Sequence, residues 1–345
     1  MNYTLQDIAD KIGASVHGDK NCPIDKLSTL ADATTGHIAF LSNSKYKSQL
    51  ADTKASAVII SEDCLAVCPT NALVMKNPYI GYAMVAQLLD STPKPADTIH
   101  QSAVLDASAT LGNNVTIGAN AVIEAGAKLG DNVSIGAGCF IGKNAIIGMN
   151  TALWANVSVY HQVEIGQNCL IQANTVIGSD GFGYANDKGR WVKIPQLGTV
   201  IIGDNVEIGA STTIDRGALG NTIIHDGVIL DNQIQIAHNV EVGSGTAIAA
   251  CSVIAGSTKL GEHCTVAGLV GINGHIEITD NCMFTGMTMV TKSIKQAGVY
   301  SSGMPCAPNK EWHKNNARIR KLDVVNVKIK ALEQALNELK SKVNN

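Results

Sequence analysis

The chain has 345 residues, of which 45% are hydrophobic and 4% aromatic, and its formal net charge is −3. This charge gives no overall attraction to nucleic acid, and no charge-poor stretch reaches the ~20 residues that a membrane-spanning helix needs. The nine cysteines include no Cys-X-X-Cys spacing and no signal peptide is recognisable, so we expect reduced, mostly buried thiols in a cytoplasmic protein.

Residues 1–97 lack any repeat and predict a small α/β domain. The stretch "LQDIADKI" has the apolar spacing of a helix, whereas "ASAVII" and "NALVM" have the composition of strands. A second helix is expected after the proline of "NPYIGYAMVAQLLD". The proline-rich "STPKPAD" then predicts a linker to the next domain.

Residues 98–305 carry an aliphatic residue at every sixth position, often followed by glycine. Neither a helix nor a strand has this period, but six residues make one short strand and one corner, and three such units close a triangular coil. Gly and Asn supply corners, where a left-handed backbone costs them least. The pattern predicts a hexapeptide parallel β-helix rather than a run of sandwich hairpins. Its first inward residues are Leu105, Leu111, Ile117, Ile123, Leu129, Ile135, Ile141, Ile147, Leu153, Val159, Ile165, Ile171 and Ile177.

Residues 179–198, "SDGFGYANDKGRWVKIPQLG", break this repeat and are expected to leave the coil as a loop. A loop of this length inside a repeat is more often functional than not. The repeat resumes at Ile202 and shifts once more at "RGAL". From Ile224 to Val290 its register is unbroken.

One corner of the unbroken part carries a histidine. Three sides take eighteen residues, so His238 lies one coil from Gly256 and two coils, roughly 10 Å, from Gly274 and its neighbour His275. Histidine accepts a proton readily near neutral pH, and a glycine N–H can bind an oxyanion without obstruction. Acyl transfer from a thioester to an amine or hydroxyl is one interpretation of this column, and a solvated corner histidine is another.

A zinc site shared between chains, as in the γ-class carbonic anhydrases, is a third interpretation of the histidines. No Cys/His cluster in the sequence has ligand spacing, so we expect no metal and no organic cofactor.

Residues 306–345 change to heptads, which predict a C-terminal helical extension with a coiled-coil seam. Such a seam needs partner chains, and a homotrimer satisfies every seam of a triangular prism at once. The alternative is one amphipathic helix that folds back on its own chain. The seam positions are Leu322, Val325, Ile329, Leu332, Leu336, Leu339 and Val343.

Several segments together resemble the UDP-3-O-acylglucosamine N-acyltransferase family of lipid A synthesis in Gram-negative bacteria. They are "TTGHIAFLSNSKY", "SDGFGYA", "VKIPQLG", "TTIDRGAL", "DNQIQIAHN", "INGHIEI" and "YSSGMP". The resemblance covers the whole chain and implies a left-handed β-helix in a homotrimer. It also implies transfer of an (R)-3-hydroxyacyl chain from acyl carrier protein to the 2-amino group of a UDP-3-O-acylglucosamine.

The resemblance also implies roles for residues at the histidine corner. His238 matches the general base, Gly256 the oxyanion N–H, and His275 a second active-site histidine. Residues that match positions expected to hold the sugar nucleotide and to orient the base are Asp231, Gln235 and Asn239.

The substrate-binding positions lie outside that corner. "FLSNSKY" matches the uridine site, where Phe40 and Tyr46 would stack on the uracil and Asn43 would hydrogen-bond to the nucleotide; the alternative is two core aromatics. Met287 and Met289 match the acyl groove, with Met289 a candidate limit on chain length, although methionines in a terminal coil also serve packing.

A basic surface is expected for the acidic acyl carrier protein. A solvated helix face is the alternative reading of the same cluster. Its members are Lys292, Lys310, Lys314, Arg318, Arg320 and Lys321.

Two other functions stay open at this point. The sister UDP-N-acetylglucosamine O-acyltransferase also has a hexapeptide helix and a catalytic histidine, but it lacks the preceding α/β domain and ends in a larger helical domain. A non-catalytic trimeric β-helix that binds a nucleotide sugar is the second. Acyl-chain length and peripheral contact with the inner membrane are not determined by the sequence.

Overall fold

The computed structural model describes residues 3–343, except for the side chain of Val343. The chain forms two compact units, residues 1–93 and 94–345, so the division lies within the predicted linker, four residues before the expected boundary. The predicted domains also take in residues 1, 2, 344 and 345, and the predicted seam takes in the Val343 side chain; these lie outside the described part of the chain.

The N-terminal unit is built on a five-stranded mixed sheet. Its strands lie in the order Ser15–His17, Asn71–Val74, Ala57–Ile60, His37–Phe40 and Lys26–Leu27. The first pair is antiparallel and the others are parallel. Two more strands, Tyr3–Thr4 and Pro23–Ile24, pair with each other. The helices are Leu5–Ile12, Lys47–Leu50 and Pro78–Leu88, with 3-10 helices at Ser44–Tyr46 and Glu62–Val67.

The predicted helices and strands of this unit are confirmed, and apolar burial explains them. Strand Ala57–Ile60 is buried on both faces: Ile59 joins the core beneath the first and third helices, and Val58 joins a second core on the other face. The third helix begins at its proline rather than after it. Asn77 caps this helix by accepting hydrogen bonds from the Tyr79 and Ile80 N–H groups.

The second unit contains the predicted parallel β-helix, whose three sheets form three sides. Side 1 consists of Val104–Leu105, Val122–Ile123, Phe140–Ile141, Ser158–Val159, Val176–Ser179, Thr213–Asp215, Gln235–Ile236, Val253–Ile254, Gly271–Ile272 and Met289–Val290. Side 2 consists of Thr110–Leu111, Lys128–Leu129, Ile146–Ile147, Glu164–Ile165, Val200–Ile202, Thr222–Ile224, Glu241–Val242, Lys259–Leu260 and Glu277–Ile278. Side 3 consists of Thr116–Ile117, Ser134–Ile135, Ala152–Leu153, Leu170–Ile171, Glu207–Ile208, Ile229–Leu230, Ala247–Ile248, Thr265–Val266, Cys282–Phe284 and Gly298–Tyr300.

The aliphatic residue of each repeat forms the core of the prism. From Ile117 to Ile177 the predicted inward residues are buried, while Leu105 and Leu111, in the first coil, are partly buried and pack against this core. Strand pairing also confirms the register: Ile236 stands beside Ile254, and Ile254 beside Ile272. Position along the chain therefore translates directly into height along the prism.

Left-handed backbone at the corners closes each coil. Asparagine occupies many of these positions, as at Asn114, Asn132 and Asn150, where its short polar side chain tolerates a positive φ. Later coils place Leu269 and Met287 in the same conformation, each with a φ of 62°. For such residues the conformation costs about 1–2 kcal/mol, so local backbone preference does not explain their presence there.

The segment 179–198, hereafter the insertion loop, leaves side 1 as predicted, but it contains a hairpin that the sequence analysis did not identify. Strands Tyr184–Asp187 and Arg190–Lys193 pair antiparallel. Lys188 and Gly189 form the two-residue turn with φ values of 50° and 90°, as a tight hairpin turn requires.

Two helices follow the β-helix, at Asn309–Ile319 and Leu322–Val343. The described seam residues of the second helix, among them Leu332 and Leu339, are exposed in the single chain. The seam is therefore not folded back onto this chain. Over residues 3–343, none of the helices combines the length and the hydropathy required to cross a bilayer.

Candidate active site

His238 and Gly256 meet at the corner between sides 1 and 2. A Cβ atom built on Gly256 would lie 2.7 Å from His238 Nε2 and 2.8 Å from Cε1. The stacked coils are joined here because the Ser257 N–H donates to the His238 carbonyl at 2.9 Å. The imidazole therefore lies directly against the Gly256 backbone, as the eighteen-residue winding predicts.

The Gly256 backbone has one used and one unused hydrogen-bonding group. Its carbonyl accepts from the His275 N–H at 3.0 Å, whereas its own N–H has no acceptor among the residues that the structure describes. A Cβ on Gly274 would approach the Gly256 oxygen to 2.8 Å and its nitrogen to 3.6 Å. Glycine at both positions therefore leaves a half-buried N–H open beside the imidazole, a geometry suited to an oxyanion.

Asn239 determines which nitrogen of His238 is free. The Asn239 Oδ1 atom accepts from the Ala218 N–H at 2.9 Å, which fixes the orientation of the amide. The same oxygen lies 3.1 Å from His238 Nδ1. Because an oxygen cannot donate here, Nδ1 carries the hydrogen and Nε2, against Gly256, is the proton acceptor.

A half-buried carboxylate that the sequence analysis missed lies beside this corner. Asp215 accepts from Gln235 Nε2 at 2.9 Å and from Ser179 Oγ at 3.1 Å. Burial raises the pKa of Asp215, and the hydrogen bonds together with the nearby His238 oppose that shift. A signal was present, because Asp215 stands directly after the inward Ile214, where the preceding repeats place Gly203 and Gly209.

Gln235 connects this carboxylate to the prism. Its Oε1 accepts from the Thr213 hydroxyl, so the amide is held on side 1 next to the histidine corner. The structure thus brings together four of the predicted site residues, His238, Gly256, Gln235 and Asn239.

The insertion loop also contacts His238, through Gly181. A Cβ built on Gly181 would lie 2.8 Å from His238 Cβ and 3.3 Å from Gln196 Oε1. Gln196 donates to the Ile194 carbonyl at 3.0 Å, and its buried Oε1 has no hydrogen-bond partner among the described residues. Nothing in the repeat pattern identifies Gln196, because the loop lies outside the repeat.

His275 and Asp231 lie farther from His238. His275 is an exposed residue two coils above His238 with a φ of 58°. Asp231 lies at the corner at the other end of side 1, up to about 20 Å from His238 along the coil. Its carboxylate accepts hydrogen bonds from the Asn232 and Ala250 N–H groups. The structure does not bring Asp231 to His238 within one chain.

An apolar surface extends along side 1 above the histidine corner. Val253, Gly271 and Met289 occupy the same outward position in three successive strands of side 1. The side chains of Val253 and Met289 are exposed, and Gly271 between them has no side chain. The adjoining corner carries the exposed Leu269 and Met287. Both predicted methionines thus belong to this surface, and Val253 and Leu269 extend it.

The N-terminal unit has its own cavity of about 410 Å³. Phe40, Asn43 and Tyr46 all line it, together with Tyr79. Phe40 is stacked on Tyr82, with ring centroids 4.1 Å apart, so one face of Phe40 is already covered. Tyr46 is largely exposed, and Asn43 uses its oxygen to accept from the Lys45 N–H.

The predicted basic residues are exposed near the C-terminal end of the second unit. Lys292 follows the last strand of side 1, Lys310, Lys314 and Arg318 lie on the first C-terminal helix, and Arg320 and Lys321 separate the two helices. Within residues 3–343, no group of three or more His, Cys, Asp or Glu side chains lies close enough to hold a metal ion.

Two family profiles and a full-length relative match the chain. The profile of the UDP-3-O-(3-hydroxymyristoyl) glucosamine N-acyltransferase family matches residues 21–88, and that of bacterial transferase hexapeptide repeats matches residues 108–143 and 144–179. The chain is 58% identical over 335 residues to the UDP-3-O-acylglucosamine N-acyltransferase of Pseudoalteromonas translucida (strain TAC 125), covering 97% of this chain and 98% of that protein.

Solved structures share the β-helix. An Arabidopsis UDP-N-acetylglucosamine acyltransferase matches with a TM-score of 0.53 and 22% identity, over 63% of this chain and 76% of that one. At this identity the match shows the fold alone.

Proposed function

Because the chain belongs to the UDP-3-O-acylglucosamine N-acyltransferase family, it is an N-acyltransferase of lipid A biosynthesis, and we propose how its residues carry out the transfer. The acyl chain, an (R)-3-hydroxyacyl group, comes from the thioester of acyl carrier protein. The acceptor is the 2-amino group of UDP-3-O-(3-hydroxyacyl)glucosamine. The contact between His238 Nε2 and the Gly256 backbone supports this assignment most directly.

The transfer needs one base and one oxyanion donor. As the amine nitrogen attacks the thioester carbonyl, His238 Nε2 takes a proton from the nitrogen. The carbonyl oxygen becomes an oxyanion and accepts a hydrogen bond from the Gly256 N–H. The C–N bond is then complete, the C–S bond breaks, and the imidazolium returns the proton to the departing thiolate.

Neighbouring side chains keep the base and the acceptor oriented. Asn239 holds the imidazole with Nε2 free, and Gln235 and Asp215 offer polar groups to the sugar at the same corner. His275 and Asp231 are proposed to contact substrate from farther positions.

The other predicted site residues are assigned to the remaining parts of the two substrates. Phe40 and Tyr46 stack on the uracil and Asn43 hydrogen-bonds to the nucleotide, since all three line one cavity. The transferred chain lies on the apolar surface of side 1 and reaches Met287 and Met289. The exposed basic residues, from Lys292 to Lys321, dock the acidic carrier protein.

A homotrimer is the proposed assembly. The seam of the second C-terminal helix exposes a row of Leu, Val and Ile side chains in the single chain, and such a row is stable in water only when partner helices cover it. No metal or organic cofactor enters the proposed reaction.

The test is acyl transfer from acyl carrier protein by the wild type and by His238→Ala. We expect the variant to lose at least 10³-fold in kcat while its mass in solution stays that of the wild type. His263→Asn, at another corner and with a left-handed backbone that asparagine tolerates, serves as the control and should keep full activity. Near-normal turnover by His238→Ala would contradict the assignment.

The same assay distinguishes transfer to an amine from the related transfer to a hydroxyl group. UDP-N-acetylglucosamine has its amine already acylated and offers only a hydroxyl, so we expect no product from it.

The Michaelis constant for acyl carrier protein should rise with salt, because electrostatic docking is screened; a flat response would contradict the basic docking surface.

A further inference from the structure

The insertion loop presents an exposed aromatic ring next to the proposed base. Gly181 packs against His238, and Gly183 packs against the Gln196 side chain, where a Cβ atom would collide with the amide nitrogen. Phe182 stands between these two glycines and is 83% exposed. Its ring lies 5.2 Å from that of Tyr184, centroid to centroid. An apolar surface of this kind, beside a catalytic corner, is suited to an apolar part of a ligand.

The insertion loop, which carries Phe182, is held by several side-chain contacts. The buried Arg216 donates from Nε to the Gly198 carbonyl at 2.8 Å and from a terminal nitrogen to the His161 carbonyl at 3.1 Å. Near the other end, Asp180 pairs with Lys193 of the hairpin at 2.6 Å. The Asp180–Lys193 pair thus ties the hairpin to the start of the loop. Arg216 holds the end of the loop to the prism, and Ser179 at its start donates to Asp215 of side 1.

The order of the coils indicates which substrate lies on which side of the imidazole. Gly256 belongs to the coil after His238, so the thioester carbonyl lies toward higher-numbered coils, where Val253 and Met289 form an apolar surface. The insertion loop arises from Ser179, two strands before Gln235 on side 1, and its Gly181 packs against the Cβ and Cδ2 atoms of His238. The acceptor amine therefore approaches from the loop side.

We propose that Phe182, with Tyr184 beside it, binds the acyl chain already esterified to the acceptor sugar. This inference rests on the proposed function, because that function supplies an acceptor with an acyl chain one carbon from the reacting amine. The donor chain has its own surface above Gly256. The insertion loop thus distinguishes an acylated acceptor from a bare one, and Phe182 is a specificity-determining residue.

The test measures binding, so it does not depend on turnover. The dissociation constants of two acceptors, UDP-glucosamine with a long 3-O-acyl chain and UDP-glucosamine with a 3-O-acetyl group, are measured by calorimetry for the wild type, Phe182→Ala and Phe182→Leu. Loss of a partly buried phenyl ring should weaken binding of the long-chain acceptor about tenfold. Binding of the acetyl acceptor should not change, and Phe182→Leu should recover most of the loss. Trp191→Ala, an exposed aromatic of the same loop, is the matched control and should behave as the wild type.

Three results would overturn the proposal. Equal weakening of both acceptors would show a general disturbance of the loop. In a parallel acyl-transfer assay, a rise in the Michaelis constant for the acyl donor alone would assign Phe182 to the transferred chain. A change in the molecular mass of Phe182→Ala in solution would show that a second copy of the chain covers this ring. If the wild type binds both acceptors as expected but transfers no acyl group, the proposed function fails while the role of Phe182 stands.

Discussion

Replacing Gly256 by alanine tests the geometry of the proposed site with a single methyl group. The new Cβ would lie 2.7 Å from His238 Nε2 and 2.8 Å from Cε1, whereas carbon contacts are ordinarily at least ~3.5 Å. The imidazole must therefore move by about 0.7 Å or more, and the methyl group also shields the Gly256 N–H. The backbone of Gly256 has no positive φ, so alanine is compatible with the coil.

Two losses follow from this one change. A missing oxyanion donor costs about 10²–10³ in kcat, and a displacement near 1 Å costs about 10². Because the two effects share one cause they are not fully additive, and we expect kcat to fall about 10³-fold, or about 4 kcal/mol of transition-state stabilisation.

The assay is acyl-carrier-protein-dependent acylation of the sugar amine under saturating substrates, with thermal unfolding measured alongside. Gly268→Ala is the matched control: it has the same place in its repeat at another corner, and its Cβ would meet only the Ala250 oxygen, at 3.3 Å. It should retain activity within a few-fold. Gly256→Ala with kcat within tenfold of the wild type and an unchanged melting temperature would refute the reasoning that places base and oxyanion donor against each other.

Three further outcomes follow from the side chains around these sites. Asn239→Ala should lower kcat at least about 10–100-fold, the effect of losing a residue that orients a metal-bound histidine, whereas Asn239→Asp keeps an acceptor for Nδ1 and should lose less; equal losses would contradict the tautomer assignment. Burial raises the pKa of Asp215, so the folded state holds this proton more firmly than the unfolded state, and the associated stability is complete below pH 3.8 and is lost as the pH rises through the folded pKa. Urea unfolding should show the stability of the wild type relative to Asp215→Asn falling over that rise, and a flat difference would contradict the burial. Tyr46→Ala should weaken UDP binding about 3–10-fold by calorimetry with little change in melting temperature, because Tyr46 is exposed, and Tyr46→Phe should bind as the wild type.

Burial of one aliphatic residue in six made the prism predictable. The steric cost of a left-handed corner selects glycine or asparagine, and inward Ile, Leu and Val are evenly spaced, so residues such as Ile236 and Ile254 could be stacked from sequence before any coordinates. The neighbourhood of His238 and Gly256 follows from the same regularity, since in a repeat a fixed separation in sequence is a fixed separation in space.

Where the repeat ends, sequence separation no longer measures distance. The insertion loop brings Gly181 to His238, a contact across 57 positions that no period encodes. Asp215 stood at a glycine position, yet only the hydrogen bonds from Gln235 and Ser179 show that its carboxylate faces this corner. Asp231, close to His238 in sequence, lies at another corner, because each corner turns the chain onto a new side.

The sequence by itself therefore determined the coil, its register and the proximity of His238 to Gly256, because local sterics and periodic burial act on neighbouring residues. Only the tertiary structure decided which nitrogen of His238 is free, which carboxylate lies beside it and which loop packs against it. Those properties depend on hydrogen bonds and contacts between segments whose distance in space is unrelated to their distance along the chain.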